Sequence, residues 1–205
     1  MNNDVSAERD WLEHPKTIEI QRYLKDNLQP RRFVHVLSVR DTAVDLARRY
    51  SADLQKLNFA ALLHDCAKWM SAEELFKSAA HFGLHLDVIE RANPSILHAR
   101  IGAELAAKRF GIDHPEILSA IRLHTTGSGV MPLIDRILYV ADFAEPQRTY
   151  KEADIVHKLA YQDLNRAVLE VSRYKIEQLL TKGKAIHPNT IDAYNAALRK
   201  TCGAG

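Results

Sequence analysis

The chain is short of the features that most quickly place a protein. Its 205 residues include two cysteines. Cys66 and Cys202 have no metal-type spacing and build no disulfide framework, so a reducing cytoplasm is the expected setting. No apolar run approaches the roughly 18 residues of a membrane span, and the polar opening MNNDVSAERDWLEHP lacks a signal-peptide core. No membrane partner is therefore expected. Neither sign of charge prevails: 28 Lys+Arg stand against 26 Asp+Glu, for a net +2. The two signs are intermingled along the chain, which argues against nucleic acid as a partner. Also missing are any convincing strand pattern, any internal repeat and any low-complexity linker.

What is present is an ordinary globular composition, 46% hydrophobic and 26% charged, in a chain long enough for one domain with a real core. Helical periodicity runs along almost all of it. Ile20, Tyr23, Leu24 and Leu28 mark the first helix, over 17–28, and Pro30 ends it. A second is expected over 32–50, with His35 in its first turn, and a third over 54–64. Ser71 and Glu74 form a capping-box pattern for a fourth, which closes at Gly83. A short amphipathic piece is broken by Pro94, and Ser95 is placed to cap the helix that stops at Gly111. Asp113-His114-Pro115-Glu116 opens the next helix with a cap, a proline and first-turn acid. Further helices are expected over 131–144, over one long stretch at 153–180, and from Pro188 to about residue 199. The expectation is an all-α, single compact helical bundle, with a flexible lead-in at 1–16, the domain at 17–199 and a tail at 200–205.

Ten histidines invite a search for ligands. The run Ala60-Ala61-Leu62-Leu63 delivers an adjacent His64-Asp65 pair into apolar surroundings, where a carboxylate needs a partner, a hydrogen bond or a cation. Neighbours on a helix point about 100° apart, so both reach one ion only where a helix ends or two helices meet. His35, His98, His124 and Asp142 recur in similar settings on four other helices. A single buried histidine is usually a hydrogen-bonded core residue. Six such residues on five helices read instead as ligands of one metal centre, because a shared cation relieves the burial of both carboxylates. Four imidazoles and two carboxylates suit iron, manganese, cobalt or zinc better than magnesium. Cys66, turned away from Asp65 by helix phase, reads as a small packing residue rather than a nucleophile.

The order His35, His64-Asp65, Asp142 resembles the signature of HD-domain phosphohydrolases, with His98 and His124 where dinuclear members add ligands for a second metal. The segments Ala61-Leu62-Leu63-His64-Asp65-Cys66-Ala67-Lys68, His124-Thr125-Thr126-Gly127, Tyr139-Val140-Ala141-Asp142-Phe143-Ala144-Glu145-Pro146-Gln147-Arg148 and Ile186-His187-Pro188-Asn189-Thr190, with Asn195, resemble the YqeK family. That resemblance covers roughly residues 17–198. It implies an HD-domain bundle that splits diadenosine tetraphosphate symmetrically into two ADP at a pair of divalent ions, iron first among them. Asp65 is then the expected bridge between the ions, and a water between them, made acidic, is the expected attacker of phosphorus.

Other residues are expected around that reaction. Lys68, three residues past Asp65, is either a catalytic, phosphate-neutralising cation or a solvated lysine. Arg148 is placed to grip phosphate. Glu145 either orients a ligand or a metal-bound water, or pairs with Arg148. Thr125, Thr126 and Gly127 form a hydroxyl-bearing loop suited to nucleotide contact, and His187 and Asn195 either close the site or cap and pack the last helix. The expected partner is a dinucleoside polyphosphate or another nucleotide, with a second copy of the chain as a candidate. The alternatives are an HD phosphohydrolase of mononucleotides or an alarmone, and a non-catalytic nucleotide-binding HD module.

Overall fold

A computed structural model of the chain describes residues 13–203, which form eleven α-helices and no strand. In order they are α1 Pro15–Asn27, α2 Pro30–Arg49, α3 Leu54–Leu63, α4 Ala72–His81, α5 Val88–Ala92, α6 Leu97–Phe110, α7 Pro115–Leu123, α8 Leu133–Ala144, α9 Lys151–Ala160, α10 Leu164–Thr181 and α11 Pro188–Thr201. The all-α reading holds, and no helix among the described residues is long and apolar enough to cross a membrane.

The bundle is built on α8. Its Ile137, Leu138, Tyr139, Val140 and Ala141 are fully buried, as a helix apolar on nearly every side must be. Around it pack α2, α3, α7, α9 and α10. Burying an aliphatic side chain contributes about 1.5–3 kcal/mol, so this helix is among the most firmly held backbone in the molecule, and Asp142 rides in its last turn. A smaller cluster of Ala67, Leu75, Ala79, Leu97 and Ile101 fixes α4 against α6. That packing sets the position of His98.

Local sequence explains most helix ends. Ser71 and Glu74 satisfy each other's backbone N–H groups at the start of α4, and Gly111 ends α6 in the left-handed conformation at φ +62°. Several expectations need correction. The stretch 153–180 is two helices, because Asp163 accepts from the amides of Asn165 and Arg166 and starts α10 afresh. His114, not Asp113, is the residue before α7, and it makes no side-chain cap. Ser95 lies in a 3₁₀ turn, Pro94–Ile96, and does not cap α6. The first helix begins at Pro15, capped by His14, so it reaches into the stretch expected to be a lead-in. Residues 1–12 and 204–205 of that lead-in and of the expected tail lie outside the described residues.

Candidate metal centre

The six expected ligands are brought together. His35 lies in the second turn of α2, and His64 is the C-cap of α3 with Asp65 immediately after it. His98 is the second residue of α6, His124 is the C-cap of α7, and Asp142 is in the last turn of α8. The adjacent His-Asp pair thus stands where a helix ends, which lets two neighbours face one point. Three helix C-termini, those of α3, α7 and α8, meet here, and the negative ends of their dipoles favour a cation.

All four imidazoles are oriented the same way. His64 donates from Nδ1 to the carbonyl of Ala61 at 2.6 Å, His124 to that of Ile121 at 2.7 Å, and His98 to that of Ser95. His35 donates from Nδ1 to Glu145 Oε1 at 3.0 Å. A hydrogen bond from Nδ1 fixes the tautomer and leaves the Nε2 lone pair free. Each Nε2 then points inward. His35 Nε2 is 3.2 Å from Asp142 Oδ1, His98 Nε2 is 3.1 Å from Asp65 Oδ1, and His98 Nε2 is 3.1 Å from His124 Nε2. Bonds of about 2.1 Å to one cation at right angles put neighbouring donors about 3 Å apart, so these spacings fit.

The Nε2 atoms of His35 and His64 are buried and have no hydrogen-bond partner. Orphaned lone pairs beside carboxylates are costly, and a divalent ion is the group that would satisfy them. Two sets emerge, His35/His64/Asp142 and His64/Asp65/His124, each with donor atoms within 4.8 Å of one another. Asp65 faces both sides. Its Oδ2 lies 3.6 Å from His64 Nε2 and 3.9 Å from His35 Nε2, while its Oδ1 faces His98 and His124.

Protonation matches this geometry. Burial drives the His64 and His124 imidazoles below the usual histidine range, and the nearby carboxylates do not reverse it. Burial opposes the charge on Asp65 and Asp142, yet the surrounding imidazoles hold both carboxyls well below the usual range. His64 and His124 are therefore favoured as neutral imidazoles and Asp65 and Asp142 as ionised carboxylates, the forms that bind metal. His35 differs: burial pulls it down, but Asp142 and Glu145 outweigh burial and raise it.

The remaining expected residues divide. Glu145 is 1% exposed, and it spends its oxygens on His35 and on the Gln147 amide at 2.6 Å, with Arg148 Nε 3.6 Å away. It thus holds the imidazole of His35 in place through Nδ1, with its other oxygen on the backbone. Lys68 Nζ lies 3.2 Å from His98 Nδ1, and burial lowers its pKa, although Asp65 counteracts this. Arg148 contacts Asp142 Oδ1 at 3.3 Å. Thr125 Oγ1 stands 3.2 Å from His124 Nε2. His187 caps α11 through the Asn189 amide and bonds Asp87 Oδ2 at 3.0 Å, while also lining a cleft beside Thr125 and Thr126.

Two expected contacts are placed elsewhere. Gly127 is buried at φ +69°, and a Cβ there would lie 2.8 Å from Ala193 Cβ and 3.2 Å from the Tyr139 ring. It is glycine because the turn and α11 approach so closely. Asn195 is exposed on α11, on the side away from Ala193 and Ala197, which are buried against the core.

Two cations were not foreseen. Arg32 donates to Asp65 Oδ2 at 2.9 Å, and the signal for it was its position one turn before His35. Lys175 of α10 donates to the carbonyls of His124 and Thr125 at 3.1 and 3.0 Å, with its Nζ 3.8 Å from the Tyr139 ring centre. It is a cation capping the C-terminus of α7, and nothing in the sequence near 175 signals that.

Fold and site define an all-α protein with a centre for divalent metal ions. The HD domain family model matches residues 32–159. The symmetrical bis(5'-nucleosyl)-tetraphosphatase of Bacillus subtilis is 36% identical over 172 residues, spanning 84% of this chain and 92% of that protein. The protein of the same name from Halalkalibacterium halodurans is 36% identical over 175 residues, spanning 85% and 93%. A crystal structure of a predicted HD superfamily hydrolase involved in NAD metabolism, from Clostridium acetobutylicum, superposes with a TM-score of 0.87 at 39% identity, covering 90% of this chain and 97% of the other. The chain belongs to the HD domain family of metal-dependent hydrolases, in the group that contains these relatives.

Proposed function

We propose that the chain hydrolyses diadenosine tetraphosphate symmetrically to two ADP, with His35, His64, Asp65, His98, His124 and Asp142 holding two divalent ions, of which iron is the expected native one. The observation that carries this reading is the set of four imidazoles, each held at Nδ1 and aimed by Nε2 at two ionised carboxylates. The names of the relatives supply the substrate. The free thiols of Cys66 and Cys202 accord with a cytoplasmic setting.

Divalent ions bound here supply Lewis acidity, which makes water acidic and neutralises phosphate charge. The chain's own residues do the rest. Asp65, with an oxygen toward each histidine set, holds the two halves of the centre in register. Glu145 fixes the tautomer of His35. Arg32 and Arg148 line a cavity of about 330 Å³ beside His35 and Glu145, and their guanidinium groups are placed to take a phosphate bidentately at that end. Lys68 supplies positive charge at the His98 end. The water oxygen ends on one ADP and the former bridging oxygen on the other.

Rates on diadenosine tetraphosphate and on ATP, ADP and dNTPs, measured with the same metal-loaded protein, test the reading. A specificity constant for the dinucleotide at least 100-fold above the others is expected. Turnover of mononucleotides alone would transfer the site to another substrate.

A further inference from the structure

The imidazoles form a row. Ring centres are 5.6 Å apart from His35 to His64, 5.0 Å from His64 to His124 and 5.0 Å from His124 to His98. The arginine-lined cavity opens at the His35 end of this row. A second cleft, about 250 Å³, opens at the other end, where Thr125 and Thr126 form its wall next to His98 and His124. It is smaller than the roughly 300–1,000 Å³ of pockets that enclose a whole drug-sized ligand, so its size suits one end of an elongated substrate.

The two ends differ in chemistry. The second cleft has an apolar wall from Ile96 and Leu179 and a rim carrying Lys182 and Lys184. Neither lysine makes an ion pair among the described residues, whereas the cations of the adjoining hollow are engaged: Arg100 bonds Glu90 at 2.8 Å and Arg122 lies 3.6 Å from Glu104. The rim is built rather than loose. Past the end of α10, Lys184 N donates to Leu179 O at 2.8 Å and Gly183 N to Leu180 O at 3.0 Å, with Gly183 at φ +60°. That paired 6→1 and 5→2 bonding fixes Lys182 and Lys184 on either side of the glycine.

Resting on the dinucleotide reading above, we infer that this cleft binds one nucleoside of the substrate. The base lies on the Ile96–Leu179 wall, and Lys182 and Lys184 neutralise the phosphate nearest its ribose. Symmetrical cleavage requires the central P–O–P over the centre, so one ADP unit must extend toward each end of the imidazole row. The arginine cavity opens at one end; at the other, the lysine cleft adjoins the hollow of Arg100 and Arg122 and differs from it in keeping its lysines out of ion pairs, so a substrate that is symmetrical in itself meets two unlike subsites.

Two variants test the cleft by different means. Ala185→Trp fills it from an exposed position, and Lys182→Ala/Lys184→Ala removes its charge. The probe is the analogue with a methylene in place of the central bridging oxygen, which cannot be cleaved there, titrated calorimetrically into metal-loaded protein. Each variant should bind it at least tenfold more weakly than the parent, with KM for diadenosine tetraphosphate rising in parallel. Affinity within twofold of the parent in either variant overturns the assignment. If the parent binds the analogue, and the variants lose it, but the parent does not cleave the natural dinucleotide, the cleft stands and the proposed activity falls.

Discussion

Replacing Glu145 by Gln changes one charge and no shape, and its consequence can be worked through. The carboxylate accepts from His35 Nδ1 at 3.0 Å and from the Gln147 amide at 2.6 Å, in a site 1% exposed. A buried hydrogen bond to a charged group contributes about 1.5–3 kcal/mol, against about 0.5–1.5 kcal/mol for a neutral one. The amide therefore forfeits about 1–1.5 kcal/mol at His35, or about tenfold in metal affinity. That is at the lower edge of the 10–100-fold typical for residues that orient metal ligands. An amide also has one acceptor where the carboxylate has two. If its oxygen stays on His35, its NH₂ opposes the Gln147 N–H, and folding stability falls by about 1–3 kcal/mol. Metal-buffered Mn²⁺ titration measures the first effect and urea unfolding of metal-free protein the second. An affinity within twofold of the parent, with native helical circular dichroism, would refute the assignment of Glu145 as the residue that holds His35.

Three further outcomes follow from the same geometry. His64→Ala or Asp65→Ala should lower kcat by at least a thousandfold while far-ultraviolet circular dichroism stays native, and parental rates in either would sink the ligand set. Burial pushes the Lys175 amine down to about 8 from 10.5, so its contribution to stability is full above pH 10.5 and is lost as pH falls through 8. The Tm advantage of the parent over Lys175→Met should accordingly widen between pH 8 and 10.5, and a constant gap would contradict it. Asp135 is buried with Oδ1 unpartnered, and burial pushes its carboxyl up to about 6 from 3.8. Its contribution is present below pH 3.8 and lost as pH rises through 6. Asp135→Asn escapes that loss and should be more stable by roughly 3 kcal/mol at pH 7, the difference vanishing near pH 4 in urea titrations.

The clustering of His35, His64, Asp65, His98, His124 and Asp142 was legible because its signal is local and chemically expensive: an ionisable residue at the end of an apolar helix, as with His64-Asp65 after Ala60–Leu63, asks for a partner that the nearby sequence does not provide. Helix ends with side-chain caps, such as Ser71-Glu74, were legible for the same reason. The break at residues 161–163 was missed because Asp163 looks like any polar residue inside a helical pattern until its bonds to the Asn165 and Arg166 amides are seen. Gly127 was read by its neighbourhood to Thr125 and Thr126, while its real constraint is the approach of Ala193, 66 residues later. Arg32 and Lys175 act on partners 33 and 51 residues away, and only the fold brings such pairs together.

The central claim is that this centre binds two divalent ions and cleaves between the second and third phosphates. It is met most directly by measuring, on one preparation purified without added chelator, the metal-to-protein ratio by elemental analysis and the products from diadenosine tetraphosphate in H₂¹⁸O. Two transition-metal ions per chain, ADP as the sole product and one ¹⁸O in every second ADP are the predicted result. A mixture of AMP and ATP, or full activity with no transition metal bound, would contradict it.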